Sequence, residues 1–199
     1  MQREIPSPMN PSAIRVGSPA WLRPAGILVA ASILLALCAR LSFPLTFSPV
    51  PLSLQPFGVL LLGLLLSPRA SVAAVGAYLV EGACGLPVFA PTVAGTAGLA
   101  HLLGPTGGYL FAYPVAAGLI SFLWRRAGRG FSMALAAAAL GDLLILASGA
   151  LWLAASTHIA ATSAASASFL AFLPGDGLKI VAAAGIATGL QRLRLRTGR

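Results

Sequence analysis

The sequence predicts an all-α integral membrane protein, a six-transmembrane-helix bundle with both termini in the cytoplasm. Three observations support this fold class: an apolar composition, a set of long apolar segments, and an uneven distribution of arginines. Hydrophobic residues make up 58% of the chain and charged residues only 9%, and the mean hydropathy is +0.90. A soluble domain with so little polar material could not cover its surface, so we expect the lipid bilayer to cover much of it.

The apolar residues fall into six segments that are separated by proline, glycine or arginine clusters. A helix needs roughly 20 apolar residues to cross the hydrocarbon core of a bilayer. The second segment is weak, because a helix of about 15 residues rises only about 22 Å, and we expect it to be short or tilted. The predicted spans are residues 25–43, 52–66, 70–87, 106–124, 131–155 and 172–191.

The arginines predict which connections face the cytoplasm, because cytoplasmic loops carry an excess of Lys and Arg. On one predicted side of the membrane, both tails and two connections carry arginines, whereas the other side carries only Arg40. Lys179 falls inside the last segment. This clustering at segment ends also argues against nucleic-acid binding. The arginines on the predicted cytoplasmic side are Arg3, Arg15, Arg23, Arg69, Arg125, Arg126, Arg129, Arg192, Arg194, Arg196 and Arg199.

This topology divides the chain into three parts. Residues 1–24 form a basic, proline-rich cytoplasmic tail, residues 25–191 form the membrane domain, and residues 192–199 form a basic cytoplasmic tail. Three long uncharged connections lie on the opposite side, at residues 42–51, 88–105 and 156–174, and they contain prolines, aromatics and both histidines. We expect them to form the lid and walls of an outward-opening cavity, although a generic membrane surface would have a similar composition.

Ionisable residues inside the apolar segments are candidate functional residues. A charge at the bilayer centre costs about 2.5 to 3.5 kcal/mol on insertion scales, so such side chains face the bundle interior and find partners. Asp176 and Lys179 have i, i+3 spacing and share one face of the sixth helix, just past a predicted break at Pro174 and Gly175. They can bind a ligand, or Asp176 can cap the helix with Lys179 as its counter-ion.

Glu81 and Asp142, the other two acidic residues in the apolar segments, have different predicted roles. Glu81 is predicted to lie on a cavity wall, with a structural hydrogen bond or a pairing with Arg40 as the alternatives. Asp142 is as suitable for packing or coupling as for ligand contact, and it is not assigned to the site. Thr106 is predicted to cap the fourth helix, with Tyr109 one turn inward.

Several chemistries have no support in the sequence. His101 and His158 have no acidic residue at metal-ligand spacing, so we expect no metal site. No phosphate-binding loop, zinc-protease motif or serine elbow occurs, so the chain is not expected to be an enzyme or to need a cofactor. Uphill transport would require a partner or an ion gradient. Small residues recur at four-residue spacing on the first helix, which permits close packing within the chain or with a partner: Gly26, Ala30, Ser32 and Ala36.

Four blocks together resemble the successive signatures of the BioY family, the biotin-specific S (substrate-capture) components of energy-coupling-factor vitamin transporters. The blocks are RLSFPLTFSPVPLSLQ at residues 40–55, YLVEGACGLPVF at 78–89, LGPTGGY at 103–109 and FLPGDGLK at 172–179. Each block alone is weak, but their order is specific. The N-terminal tail and the Ser/Ala-rich stretch at 160–168 depart from the family.

The resemblance implies a protein of the bacterial cytoplasmic membrane, a multi-pass protein that captures biotin outside and delivers it inward with a membrane T component and two ATPase subunits. It also implies that Asp176 and Lys179 are polar binding residues, that residues 43–51 form a gate, and that the small residues of the first helix contact the T component. An S component for another vitamin and an autonomous ion-coupled transporter are the alternatives.

Our chemical assignment of the site follows from that resemblance. We expect Lys179 to meet the carboxylate of biotin and Glu81 or Asp176 to accept hydrogen bonds from its ureido N–H groups. Aromatic residues are expected to enclose the rings, and Thr106 to lie beside them. These aromatic residues are Phe47, Phe89 and Tyr109.

Overall fold

The structure, a computed structural model, describes residues 22–45, 48–91 and 95–197. These residues form helices and one small hairpin. The helices are α1 (Leu22–Arg40), α2 (Gln55–Leu65), α3 (Pro68–Ala83), α4 (Leu99–Leu103), α5 (Gly107–Arg126), α6 (Phe131–Thr157) and α7 (Ala161–Thr197). The strands are β1 (Ser42–Leu45) and β2 (Ser48–Ser53).

Each predicted span overlaps one helix, and the short α4 is an addition in the second predicted outer connection, at residues 88–105. The helical structure confirms the all-α fold class. In the described part of the chain, α5 and α6 are both long and apolar enough to cross a membrane, whereas α2 and residues 24–40 of α1 are apolar but shorter. The count of six spans and the cytoplasmic position of the termini stay predictions.

The last helix differs most from its prediction. The outer connection at 156–174 was expected to be a loop ending in a break, but α7 begins at Ala161 and runs through Pro174 without interruption. Alanine and serine continue a helix readily, and a proline is tolerated in a membrane helix where neighbouring helices compensate for the lost hydrogen bond. The predicted break is therefore wrong. Asp176 lies inside the helix, which excludes the alternative in which it caps a helix N-terminus.

The first outer connection forms a hairpin. Strands β1 and β2 pair antiparallel, with Ser42 opposite Ser53 and Phe43 opposite Leu52. The amide of Leu54 donates a hydrogen bond of 3.0 Å to the carbonyl of Leu41 and closes the base of the hairpin. Strand β2 packs against α7 and α1. The hairpin therefore leads the chain across one end of the bundle and into α2.

Helix α5 lies at the centre of the packing, against α2, α3 and α6. Two apolar clusters fill the interior, one around Leu35, Tyr78 and Tyr113 and one around Leu60 and Ile120. Large apolar side chains cover the outer surface of α1, α5, α6 and α7. Apolar surface on this scale is typical of a face that meets lipid.

Candidate functional site

A cavity lies at the hairpin end of the bundle and encloses about 540 Å³, its open mouth included. Strand β2 and the loop before α4 close it from one side, whereas α2, α5, α6 and α7 form its walls. The lining residues are Val50, Pro51, Ser53, Gln55, Pro56, Ala90, His101, Thr106, Tyr109, Leu110, Tyr113, Asp142, Ile145, Leu146, Phe172, Asp176 and Lys179.

A buried ion pair occupies the α7 wall of this cavity. Lys179 Nζ donates a hydrogen bond of 2.8 Å to Asp176 Oδ1. The two side chains share a face because they are three residues apart in a continuous helix. Asp176 is 3% exposed and Lys179 is 8% exposed. An ammonium group has three donors, so this contact leaves Lys179 with the capacity to bind a ligand anion as well.

A second carboxylate, that of Asp142, lines the cavity from α6. Its side chain is 4% exposed, and Oδ1 has no hydrogen-bond partner among the described residues. A buried acceptor without a partner costs about 1 to 3 kcal/mol, so such an atom is commonly satisfied by water or ligand. The cavity therefore offers a cation and two carboxylates, which suits a ligand that has an anionic end and N–H donors.

Aromatic rings form the apolar part of the wall. Tyr109 and Phe172 meet edge to face, with ring centroids 6.3 Å apart, and Tyr113 lies one turn further along α5. Tyr109 packs directly on α6 because position 149 is glycine: a Cβ there would lie 2.2 Å from the ring. This close approach fixes the ring beside the cavity.

A buried chain of hydrogen bonds supports the entrance. Gln55 Nε2 donates to the hydroxyl of Tyr78 at 2.6 Å, and this hydroxyl donates to the carbonyl of Val88 at 2.9 Å. Tyr78 is fully buried. The chain connects the start of α2 with α3 and with the loop that follows it, so Gln55, which lines the cavity, has a fixed position.

His101 separates the cavity from the outer loop. Its ring stacks on Phe89, with centroids 4.9 Å apart and planes inclined by 26°, and Nδ1 lies 3.2 Å from the carbonyl of Thr96. Burial lowers the pKa of His101, and the hydrogen bond with Thr96 opposes that shift. A neutral imidazole at neutral pH follows from the lowered pKa.

The predicted site residues divide into three groups. Asp176, Lys179, Thr106 and Tyr109 line the cavity together. Thr106 stands at the N-cap position of α5, but its side chain makes no capping hydrogen bond, so that part of its prediction is wrong. Phe47 lies outside the described residues.

Two predicted residues lie outside the lining. Phe89 is buried beside it, in edge-to-face contact with Tyr78. Glu81 accepts a hydrogen bond from the hydroxyl of Ser32. This contact joins α3 to α1 and corresponds to the structural alternative for Glu81. The alternative partner Arg40 donates instead to the carbonyl of Pro87, at 2.6 Å.

The small residues of α1 do not form one stripe. Gly26 and Ala30 are exposed, whereas Ser32 is buried against α3 and Ala36 packs on the apolar core. The pairs are offset by six residues, which places them on different faces of a helix with 3.6 residues per turn. Only the pair Gly26 and Ala30 lies on an open surface.

Sequence reasoning missed six polar or aromatic lining residues: Ser53, Gln55, His101, Tyr113, Asp142 and Phe172. Two of them carried a usable signal. Gln55 and Phe172 stand at the ends of the conspicuous blocks at 40–55 and 172–179, and a polar Gln at the start of an apolar helix needs a partner.

Comparison with known proteins assigns the family. The BioY family matches residues 13–196. The chain belongs to the BioY family. It is therefore a membrane protein, in agreement with its apolar surface and the two long apolar helices.

Curated relatives and a solved structure agree with this assignment. A probable biotin transporter BioY of Pyrococcus horikoshii is 37% identical, with 73% of this chain and 83% of the relative covered. The biotin transporter BioY of Thermotoga maritima is 37% identical, with 86% and 95% covered. The crystal structure of the S component for biotin from an ECF-type ABC transporter matches with a TM-score of 0.79 at 28% identity, covering 86% of this chain and 92% of that one.

Proposed function

We propose that this BioY protein is the substrate-capture component of a biotin uptake system and not an enzyme. The observation that carries the proposal is the buried cluster of Lys179, Asp176 and Asp142 in an aromatic-walled cavity. Biotin has a carboxylate at the end of an aliphatic chain and a ureido ring with two N–H donors. The cluster complements both ends, and the relatives named above are a biotin transporter and a probable biotin transporter.

The chemistry suggests a role for each group. Lys179 binds the ligand carboxylate through the donors that Asp176 leaves available, since charge-assisted hydrogen bonds are the strongest ones open to it. Asp142 or Asp176 accepts from the ureido N–H groups. Tyr109, Tyr113 and Phe172 enclose the apolar parts of the ligand. Strand β2 closes one side of the cavity, and in this proposal it moves to admit the ligand as part of a gate at residues 43–51.

Energy for uptake comes from other proteins in this proposal. The sequence contains no nucleotide-binding motif, so uphill transport requires a partner or an ion gradient. The similarity to the S component of an ECF-type ABC transporter favours a membrane T component with ATPase subunits. The exposed face of α1 around Gly26 and Ala30 suits contact with the T component, since small residues allow close helix packing in a membrane. The location that follows is the cytoplasmic membrane, with the chain crossing it several times.

Calorimetry of the detergent-purified protein tests the capture role. Biotin is titrated beside thiamine and riboflavin, and Asp176→Asn is measured beside wild type. Glu81→Gln is the matched control, because it makes the same carboxylate-to-amide change outside the cavity. We expect selective biotin binding that Asp176→Asn weakens and Glu81→Gln preserves.

Two results would contradict the proposal. Binding of thiamine or riboflavin in place of biotin would assign the cavity to another vitamin. A folded wild-type protein that binds none of the three would exclude the S-component role and favour an ion-coupled transporter.

A further inference from the structure

A second cavity lies at the opposite end of the bundle, where α2, α5 and α7 end. It encloses about 810 Å³, its open mouth included. Three arginines line it together with a glutamine and apolar side chains, and the lining contains no acidic residue. The lining residues are Leu64, Leu65, Trp124, Arg125, Arg129, Ala187, Leu190, Gln191, Arg194 and Leu195.

Hydrogen bonds donated by Nε hold the side chain of Arg125 in place. This atom donates to the carbonyl of Leu66 at 3.3 Å and to the hydroxyl of Ser121 at 3.2 Å. Ser121 also donates to the carbonyl of Leu66, at 2.6 Å. The two terminal nitrogens of Arg125 make no such bond among the described residues, so they can donate to an anion in the fork geometry that suits phosphate.

Arg129 lines the cavity from a constrained turn. Its φ is +56°, a left-handed conformation that is uncommon for residues other than glycine. Trp124 stabilises the turn: its Nε1 donates to the carbonyl of Gly130 at 3.1 Å, and its carbonyl accepts from the amide of Arg129 at 3.2 Å. Strained backbone that the surroundings hold in this way is often found at binding sites.

Gln191 adds an unsatisfied polar atom. Its side-chain oxygen is buried and has no hydrogen-bond partner among the described residues. A hydroxyl donor from an occupant would satisfy it. The leucines Leu64, Leu190 and Leu195 form the apolar part of the same lining. The cavity therefore combines cations, one acceptor and an apolar wall.

We propose that this cavity binds the headgroup of an anionic phospholipid, with the phosphate between Arg125, Arg129 and Arg194 and an acyl chain along the leucines. Basic pockets between membrane helices on the cytoplasmic side are suited to such headgroups. The cavity is concave and half apolar, which fits an amphiphile. An acidic protein surface would pair with the arginines but would leave the leucines without an apolar partner.

The test compares two variants with the same change in net charge. Arg129→Asn with Arg194→Gln removes two cavity arginines and leaves the structurally bonded Arg125, and asparagine tolerates the left-handed conformation. Arg192→Gln with Arg196→Gln is the matched control, because both of these arginines are exposed and lie outside the lining. Size-exclusion chromatography and circular dichroism establish that each variant is folded.

Binding is measured by native mass spectrometry with equal amounts of phosphatidylglycerol and phosphatidylcholine. We expect wild type and the control to retain phosphatidylglycerol preferentially. In the cavity variant, the affinity for phosphatidylglycerol relative to phosphatidylcholine should fall roughly 30-fold. In wild type alone, the preference should decrease with added salt. This second measurement needs no variant and holds even where the cavity variant does not fold.

Four results would overturn the proposal. Wild type could retain both lipids equally, or the cavity and control variants could lose phosphatidylglycerol to the same extent. Inorganic phosphate that stabilises wild type as much as the lipid does would indicate a free-anion site. A cavity variant that keeps its lipid preference but no longer assembles with a T component would show that the arginines bind a protein.

Discussion

Two polar contacts in apolar helices differ in what surrounds them. The pair Asp176 and Lys179 is buried, lies on one turn of α7 and lines the cavity at the hairpin end. The pair Ser32 and Glu81 joins α1 to α3 and lies outside that lining. Both contain a carboxylate in an apolar segment, and both carboxylates look alike in the sequence.

The difference shows that a carboxylate in an apolar segment does not necessarily line a cavity. A carboxylate that bonds to a neighbouring helix is satisfied before any ligand arrives. The cluster of Asp142, Asp176 and Lys179 retains donors and acceptors that a ligand can use. It has one cation for two carboxylates, and Asp142 Oδ1 has no partner among the described residues. The donors and acceptors that remain available after hydrogen bonding within the protein are therefore a better criterion for a candidate binding residue.

Replacing Lys179 tests the comparison most strongly. We expect Lys179→Ala to weaken biotin binding by at least about 30-fold, because it removes the only cation of the cavity lining and leaves buried carboxylates unpaired. Calorimetry with biotin and with its carboxamide separates the two causes. Wild type should prefer biotin, whereas the variant should bind both ligands equally weakly. A variant that still prefers biotin would show that Lys179 does not meet the carboxylate.

Gly149→Ala tests the aromatic wall without touching a charge. The new Cβ would lie 2.2 Å from the ring of Tyr109, so the ring or α6 must shift. We expect biotin affinity to fall about tenfold. Gly185→Ala is the control, because a Cβ there has no heavy atom within 4 Å. Equal affinity in the two variants would mean that Tyr109 does not contact the ligand.

Ser32→Ala tests the other side of the comparison. It removes the donor to Glu81, so we expect a loss of stability of about 1 kcal/mol, which corresponds to a decrease in Tm of about 2 to 4 °C. Biotin affinity should stay unchanged. The exposed Ser132→Ala is the control and should leave the Tm unchanged. A large loss of affinity in Ser32→Ala would instead connect Glu81 to the site.

The helices were predictable because membrane spans depend on local composition. Apolar runs and arginine clusters are visible in any short window of the sequence, and each predicted span overlaps a helix. The continuity of α7 was not predictable, since a Pro-Gly pair ends most helices and only neighbouring helices decide otherwise. The hairpin at 42–53 also depends on its contact with α7, which is distant in the sequence.

The site was predictable only in part, and the reason is helix rotation. Asp176 and Lys179 are identified by their spacing, which places them on one face. Asp142 stands in α6, which is apolar on all sides, so no periodicity shows which face meets the cavity. Glu81 was expected on the cavity wall, but its helix directs it toward Ser32.

The smallest expected effect concerns His101, which lies between the cavity and the outer loop. Burial lowers its pKa in the folded protein, so at a pH below the unfolded value of about 6.5 the unfolded chain binds the proton first. The contribution of the neutral ring to stability is therefore complete above that pH and is lost as the pH falls through the window below it.

We accordingly expect the Tm of wild type to decrease on acidification more than the Tm of His101→Asn. His158→Asn is the control, because His158 is exposed and has a φ of +56° that asparagine tolerates. Thermal denaturation at a series of pH values measures the difference. If His158→Asn reduced the pH dependence as much as His101→Asn does, the effect would not come from the buried ring. A difference specific to His101 would show that burial of this ring beside the cavity makes the fold sensitive to acid.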